Sequence, residues 1–364
     1  MKRVIVLLLV FSLLLSGCSL FADQYVSVTP HRNSTGGMES KVMSASNYSQ
    51  LRDAFVELVH SGTESGIIHV SDYNPILLEQ GLADAVYYVQ NYDAIAAYCV
   101  EAIEYEKGTS GMVPAVAVTI RYLYDSRTVR QIPSVRNSEA LWEMVATALE
   151  RCEAGIVVYI ESYIEQDLIQ MVEDYAGNNP ASIMEAPQVS YEVYPDSGQD
   201  RVVVLKFTYQ NSRTDLRQMR AQVLPIFNSA VQYAKGGSDY QKLQRLYSFL
   251  MERFSEYQNK TSITPAYSLL HHGVGDSRAF AIVYAQMCRM AGMDSQVVTG
   301  TLQGEPWYWN VVESDGNFYH IDLLRSHAGE GFRLLTDEQM ADYVWDYSAY
   351  PACTGVPEEA AETE

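Results

Sequence analysis

One order of segments occurs twice between residues 46 and 235 and limits the folds open to this chain. In each copy an amphipathic helical pattern, an apolar strand, a second helical pattern and further strands follow one another, at an offset of about 86 to 90 residues. Both copies end in Ser-Arg-Thr followed by Arg-Gln, at 126–131 and 212–218. The sequence therefore predicts two α+β repeat units, 46–134 and 135–235, each with helices on one face of a small sheet. The alternative is a chance resemblance between two ordinary α+β segments.

The spacing of apolar residues also predicts where the elements of these units lie. The tyrosines of the last strands are expected to pack their rings rather than to bind a ligand. Neither unit contains a glycine-rich phosphate loop or a cluster of metal-ligating residues. The predicted elements are helices at 51–60, 77–105, 139–151 and 168–175 and strands at 66–70, 113–124, 155–159, 189–194 and 202–209.

The N-terminus begins with a short basic segment, Lys2 and Arg3, followed by an apolar run over 4–15. A membrane-spanning helix needs about 20 apolar residues, so this run is too short to span, but its length is typical of a signal-peptide core. The sequence therefore predicts a signal peptide over residues 1–17.

The residues Leu-Ser-Gly before Cys18 resemble the bacterial lipobox. This resemblance implies cleavage just before Cys18 and a diacylglycerol group on its sulfur. The segment 18–45 is rich in small polar residues and predicts a flexible tether behind the lipid. We therefore expect a protein anchored to the extracytoplasmic face of the cell membrane. An ordinary signal peptide with an incidental cysteine is the alternative.

Composition limits the number of domains, the class of binding partner and the metal and disulfide sites that we expect. The chain has 364 residues, 48% of them hydrophobic, which predicts two or three folded domains. Its net charge of −20 repels phosphate backbones, so we expect no nucleic-acid partner. No C-x-x-C motif occurs, and we predict no metal, no cofactor and no assigned disulfide among Cys99, Cys152, Cys288 and Cys353.

The last third of the chain carries the most informative motifs. A helix is predicted at 239–256, within a domain at 236–356 that precedes an acidic tail at 357–364. Five short motifs follow one another in this domain: Gly275-Asp276-Ser277, Phe280-Ala281, Val298-Thr299-Gly300, Trp307-Tyr308-Trp309-Asn310 and Tyr319-His320-Ile321-Asp322.

This order resembles the transglutaminase-like family, which is related in fold to papain-type cysteine proteases. The resemblance implies a cysteine at the start of a helix, where the helix dipole lowers a thiol pKa. It also implies a histidine base on a strand and an aspartate that orients the histidine. The predicted fold class is therefore α+β, with tandem α+β units followed by a transglutaminase-like domain.

Two of the three catalytic positions differ from the family pattern. Ser277 stands at the cysteine position, Trp307 at the histidine position, and Asp322 matches the aspartate. A serine hydroxyl needs an adjacent base, and an indole N–H only donates. We expect Asp276 or Ser277 to cap the following helix, and Asp322 to bind backbone groups or the Trp307 indole. A rewired pair of Ser277 with His320 is the alternative.

These replacements predict a domain that binds without catalysis. The surviving cleft is expected to include Gly275, Trp307, Trp309, Asn310 and His320, with aromatic surface for a cell-wall peptide or glycan. One alternative is a peptidase or acyltransferase that uses Ser277. A second alternative is a structural spacer or a subunit of an envelope complex.

Overall fold

The computed structural model describes residues 41–254, 256–329 and 331–355. The predicted signal peptide, Cys18, most of the tether and the acidic tail lie outside the described residues. Among the helices that are described, none combines the length and the apolar character that a membrane crossing requires. The chain divides into two compact units between Ile132 and Pro133, close to the first predicted boundary at 134.

The first unit is a four-stranded sheet with helices packed against it. Its elements are β1 (Lys41–Ser44), α1 (Tyr48–His60), β2 (Ser65–His69), α2 (Leu78–Tyr92), α3 (Ala94–Cys99), β3 (Val100–Ser110), β4 (Val113–Tyr122) and α4 (Ser126–Arg130). The strand order is β1-β2-β4-β3, with β1 parallel to β2 and the other pairs antiparallel. The apolar faces of the helices bury against the sheet through residues that include Leu51, Phe55, Leu82, Ile68 and Val116.

Two predictions about this unit are wrong. The tether over 18–45 ends earlier, because Lys41–Ser44 pair with β2. The helix predicted at 77–105 ends at Cys99, and from Val100 onward a ladder with β4 replaces the helical hydrogen bonds. Apolar spacing alone does not distinguish a short buried strand from a continuing helix.

The second unit begins with a sheet of the same strand order. Its elements are β5 (Ser134–Val135), α5 (Ser138–Glu150), β6 (Gly155–Ile160), α6 (Leu168–Asn178), β7 (Gln188–Tyr194) and β8 (Arg201–Thr208), with the order β5-β6-β8-β7. Asn47 and Asn137, in the same extended conformation, cap α1 and α5 by accepting the N–H groups of Gln50 and Ala140. The common order agrees with two copies of one unit, and the duplication itself stays a prediction.

The remaining elements form the C-terminal α+β domain. They are α7 (Arg213–Tyr233), α8 (Asp239–Met251), β9 (Glu256–Tyr257), α9 (Pro265–His272), β10 (Val274–Gly275), α10 (Ser277–Met290), β11 (Ser295–Leu302), β12 (Glu305–Ser314), β13 (Asn317–Ile321), α11 (Leu323–Ala328) and β14 (Tyr343–Trp345). The predicted boundary at 235 follows a helix, α7, whose buried Val223, Phe227 and Ala230 share one core with α8 to α10.

A four-stranded sheet in the order β13-β12-β11-β14 has a hydrophobic core on each face. On one face α10 packs against Val312, Tyr319 and Ile321. On the other face Trp309 and Val311 pack against the C-terminal segment that carries Met340, Tyr343, Trp345 and Cys353. Because side chains alternate along a strand, successive residues of β12 serve opposite cores.

Gly300 on β11 is required by this two-sided packing. A Cβ atom there would lie 2.4 Å from the Val344 carbonyl oxygen and 2.7 Å from the Trp309 ring. The glycine of the Val-x-Gly motif therefore lets β14 and Trp309 approach β11 closely.

Candidate functional site

Ser277 is the first residue of α10, as the motif order predicts. Asp276 is the cap: its Oδ1 accepts the Ala279 N–H at 2.9 Å. The Ser277 side chain is therefore not used as a cap. Its Oγ instead accepts the Tyr308 N–H from β12 at 3.3 Å, and the residue is only 6% exposed.

Trp307 and Asp322 are hydrogen-bonded to each other. The Trp307 indole Nε1 donates to Asp322 Oδ2 at 2.6 Å, which confirms the contact predicted from the sequence. Tyr343 donates its hydroxyl to the same oxygen at 2.7 Å. The backbone N–H of Arg325 donates to Oδ1 at 3.0 Å, so Asp322 also caps α11.

The buried Asp322 carboxylate is thus held by three donors, of which none is a base. The pKa of Tyr343 is raised well above its usual value, first by burial and then by the neighbouring Asp322 carboxylate. Both side chains that meet Asp322 keep their protons at neutral pH. The arrangement can hold the sheet and α11 together.

Among the described residues, Ser277 Oγ is hydrogen-bonded to a backbone amide, and no imidazole or carboxylate bonds to it. The space bounded by Ser277, Phe280, Tyr308, Asn310 and Asp322 has no volume for a water molecule. Within the part of the chain that the structure describes, the Ser277 hydroxyl thus has neither a hydrogen-bonded base nor open space beside it.

His320 lies on the opposite face of the sheet from α10. It pairs in register with Val311, which belongs to the core beneath the C-terminal segment. Its Nδ1 accepts the Trp309 indole N–H at 3.0 Å, and its Nε2 lies 2.8 Å from Asp337 Oδ1. Both ring nitrogens are therefore occupied, and the rewired Ser277–His320 pair is not formed.

His320, Asp337 and Cys353 place three metal-ligand types within 4.8 Å of one another. Trp309 can only donate, so it holds Nδ1 of the neutral imidazole as an acceptor, and the ring proton resides on Nε2. For the neutral imidazole to bind a metal through Nε2, its proton must move to Nδ1, and Nδ1 could then no longer accept the Trp309 N–H. The cluster therefore fits a structural hydrogen-bonded group better than a metal centre.

Burial lowers the pKa of His320, and the adjacent Asp337 partly offsets this effect. The unfolded chain takes up a proton near pH 6.5, before the folded chain does, so the free energy of unfolding should fall as pH drops below about 6.5. One group contributes at most about 1.4 kcal/mol per pH unit. Urea unfolding between pH 5 and 8 checks this, with His320→Asn as the control. If the difference in unfolding free energy between the natural chain and His320→Asn stays the same across that pH range, the predicted role of His320 is wrong.

The predicted cleft is largely closed. Trp309 is 1% exposed, and Asn310 and His320 are fully buried, so a ligand cannot touch them. Gly275 is also buried, and a Cβ atom there would lie 2.9 Å from that of Ala279. Only Trp307 of the five predicted residues keeps partial exposure among the described residues, and its ring packs at a tilt on that of Tyr257. The expectation of an aromatic floor built by Trp309 is wrong, because the C-terminal segment covers that face of the sheet.

Sequence reasoning missed the residues that come from this C-terminal segment. Tyr343 completes the Asp322 site, and Asp337 holds both His320 and the backbone N–H of Cys353. The apolar alternation of Tyr343 and Trp345 was the available signal for a strand there. The four described cysteines, Cys99, Cys152, Cys288 and Cys353, are free thiols, and burial raises the pKa of Cys288 and of Cys353 to about 12.

The fold and the site define an α+β protein with a transglutaminase-like domain, which confirms the fold class predicted from the motifs. Residues 229–331 match the model of the Transglutaminase-like superfamily, roughly a quarter of the chain. No curated protein matches the sequence at a significant level.

Three solved structures are similar in part. A TGase crystal structure is 12% identical, with 60% of this chain and 63% of that chain covered and a TM-score of 0.27. A candidate cysteine protease from Cytophaga hutchinsonii is 14% identical, with 43% and 70% covered and a TM-score of 0.25. A candidate protease from Parabacteroides distasonis ATCC 8503 is 9% identical, with 61% and 36% covered and a TM-score of 0.23. The match thus spans less than two thirds of the TGase, and the assignment rests on residues 229–331.

Proposed function

We propose that this chain is a lipid-anchored envelope protein whose transglutaminase-like domain binds cell-wall peptides without cleaving them. One observation carries the non-catalytic part: Asp322, at the position that orients a histidine in the family pattern, is held by the indole of Trp307. A donor therefore occupies the place of the proton acceptor. The retained aspartate acts as a structural acceptor.

The closed site supports the same proposal. Ser277 Oγ is bonded to a backbone amide, and the space beside it is too small for water. A hydrolase must admit both an acyl group and a water molecule to its nucleophile. Binding therefore falls to the outer grooves of the domain rather than to the buried catalytic position.

The anchor part of the proposal is supported by the sequence around Cys18. A short apolar run and the Leu-Ser-Gly-Cys string are typical of a lipoprotein signal peptide. A net charge of −20 suits an exposed, soluble body held near a surface by its lipid. We therefore place the folded units outside the cytoplasm, at the cell membrane.

Three measurements test this proposal. The purified mature chain should not be labelled by a fluorophosphonate probe, and peptidoglycan sacculi should retain it above a buffer control. In cells it should sediment with membranes, whereas Cys18→Ser should not. Labelling that is lost in Ser277→Ala would establish the serine peptidase or acyltransferase instead. A chain that sacculi do not retain would instead be a spacer or a subunit of an envelope complex.

A further inference from the structure

A groove of about 410 Å³ lies between the loop that follows α6, the loop that precedes α9 and the first two turns of α10. Its volume is within the range of small-ligand sites. Arg278, which directly follows Ser277, is one of its exposed lining residues, whereas Ile183, Met184 and Ile282 form a buried apolar floor. The groove shares no lining residue with the closed space beside Ser277, so it is a separate site.

The walls of this groove are held together by contacts within the chain. Met184 belongs to the same hydrophobic core as Ile282 of α10. The buried Glu185 carboxylate accepts the backbone N–H groups of Gln210 and Asn211 and the side-chain amide of Asn211. Glu185 therefore fixes the wall that carries Gln210, and both of its oxygens already have donors. A groove that is formed in advance loses less free energy to ordering when a ligand binds.

Arg278 is the cation among the residues that line this groove. In the part of the chain that the structure describes, its guanidinium makes no hydrogen bond and no ion pair, and it lies 6.0 Å from the centre of the Tyr308 ring. As the second residue of α10 it stands at the positive end of the helix dipole, where a cation is unfavourable. Helix stability therefore does not account for this arginine. A ligand carboxylate on the guanidinium would be stabilised by a charge-assisted hydrogen bond.

Gly177, near the end of α6, keeps one side of the groove open. Its backbone is helical, and a Cβ atom added there would meet none of the described atoms within 4 Å. Glycine makes a helix less stable than alanine does. Neither a left-handed backbone conformation nor a close neighbour requires glycine at this position. Its effect is therefore the space that it leaves in the groove.

Two further polar groups of the groove suit a peptide backbone. The side-chain amide of Gln210 and the hydroxyl of Thr261 make no hydrogen bond to other described residues. Each of these groups can both donate and accept, as peptide N–H and C=O groups require. The net charge of −20 disfavours a ligand with several negative charges, so a ligand with a single carboxylate fits this groove best.

We propose that this groove binds the carboxyl-terminal end of a peptide. The terminal carboxylate lies on Arg278, a small apolar side chain lies on the floor formed by Ile183, Met184 and Ile282, and the peptide groups bond to Gln210 and Thr261. This inference rests on the proposed function and names its peptide site. An alkyl carboxylate shares the charge and the apolar part but lacks peptide groups, so it is the competing ligand in the test.

Titration calorimetry on the purified mature chain tests the ligand chemistry without any mutation. The probes are N-acetyl-alanyl-alanine, its C-terminal amide and hexanoate. We expect N-acetyl-alanyl-alanine to bind best, the amide to bind about tenfold more weakly, and hexanoate to bind several-fold more weakly. Equal affinity for the acid and its amide, or no heat from the acid at millimolar concentration, overturns the proposal. Hexanoate that binds as tightly as the dipeptide overturns it in favour of an alkyl carboxylate site.

Arginine variants locate the carboxylate. Arg278→Ala should weaken the binding of N-acetyl-alanyl-alanine about tenfold, and Arg278→Lys should weaken it less. The matched control is Arg217→Ala, which removes an exposed arginine of α7 that does not line the groove and should change the affinity less than about twofold. Equal losses in Arg278→Ala and Arg217→Ala would reflect the net charge of the chain and would overturn the proposal.

A second variant tests the groove by filling it. Gly177→Phe places a ring in the open space beside α6, so it should abolish binding of N-acetyl-alanyl-alanine without lowering the midpoint of thermal unfolding. A folded Gly177→Phe chain that binds as well as the unmodified chain overturns the proposal. If this variant does not fold, the Arg278 variants decide the question.

The sacculus assay separates this inference from the proposed function. If Arg278→Ala is retained by sacculi as well as the unmodified chain, the groove proposal fails and the binding function stands. If the unmodified chain is not retained, the binding function fails, and the calorimetry decides the groove by itself.

Discussion

Replacing Ser277 by cysteine and Trp307 by histidine together should create a reactive thiol where the natural chain has none. The cysteine would stand at the N-terminus of α10, and the new imidazole would replace the indole that now bonds to Asp322. An imidazole held by a carboxylate stabilises the thiolate and lowers the thiol pKa by about two units. The expected result is that the midpoint of the pH profile for iodoacetamide alkylation moves down by the same amount.

At pH 6 the double variant should react about tenfold faster than Ser277→Cys alone, once the lower intrinsic nucleophilicity of a low-pKa thiol is allowed for. The matched control is Ser277→Cys with Trp307→Gln, which opens similar space and offers no base. The four described natural cysteines are buried or partly buried, and burial raises their pKa, so mass spectrometry can assign the label to position 277. Equal rates for the two double variants would show that position 307 does not reach the nucleophile position.

Replacing Asp322 by alanine should destabilise the C-terminal domain by about 3 to 5 kcal/mol. The change removes the acceptor of three hydrogen bonds, from the Trp307 indole, the Tyr343 hydroxyl and the Arg325 N–H. Tyr343 is 6% exposed, so its hydroxyl would be left buried without a partner. Urea unfolding followed by tryptophan fluorescence measures the loss, because the core beneath the C-terminal segment contains Trp307, Trp309 and Trp345.

The control for this prediction is Asp294→Ala, an exposed aspartate of the same domain, which should change stability by less than about 0.5 kcal/mol. Tyr343→Phe in both backgrounds completes a double-mutant cycle, and a coupling energy above about 1 kcal/mol would identify the Tyr343 bond as part of the effect. A loss in Asp322→Ala no larger than that in Asp294→Ala would show that the retained aspartate has no structural role.

The sequence alone predicted a large part of this site. The helix start at Ser277 was implied by the resemblance of the motif order to the transglutaminase-like family, and the Trp307–Asp322 contact was implied by the family positions that these two residues occupy. The absence of a base at position 307 was predicted from side-chain chemistry, because an indole N–H only donates in any fold. The last inference needs only the nature of the group, whereas the first two need the family pattern.

Other features needed the tertiary structure. Strand alternation places Trp307 and Trp309 on one face of their strand, but it does not tell whether another layer covers that face. The segment 331–355 covers it, and Tyr343 and Asp337 reach back to Asp322 and His320 from that segment. The extended conformation of β1 and β3 was likewise decided by tertiary structure, because each pairs with another strand of the sheet. The sequence thus predicted the chemistry of single residues and the local spacing of apolar residues. Contacts between segments far apart in the chain decide which side chains are buried. They therefore also decide that the catalytic position is closed and that a groove opens beside it. No local sequence pattern encodes such contacts.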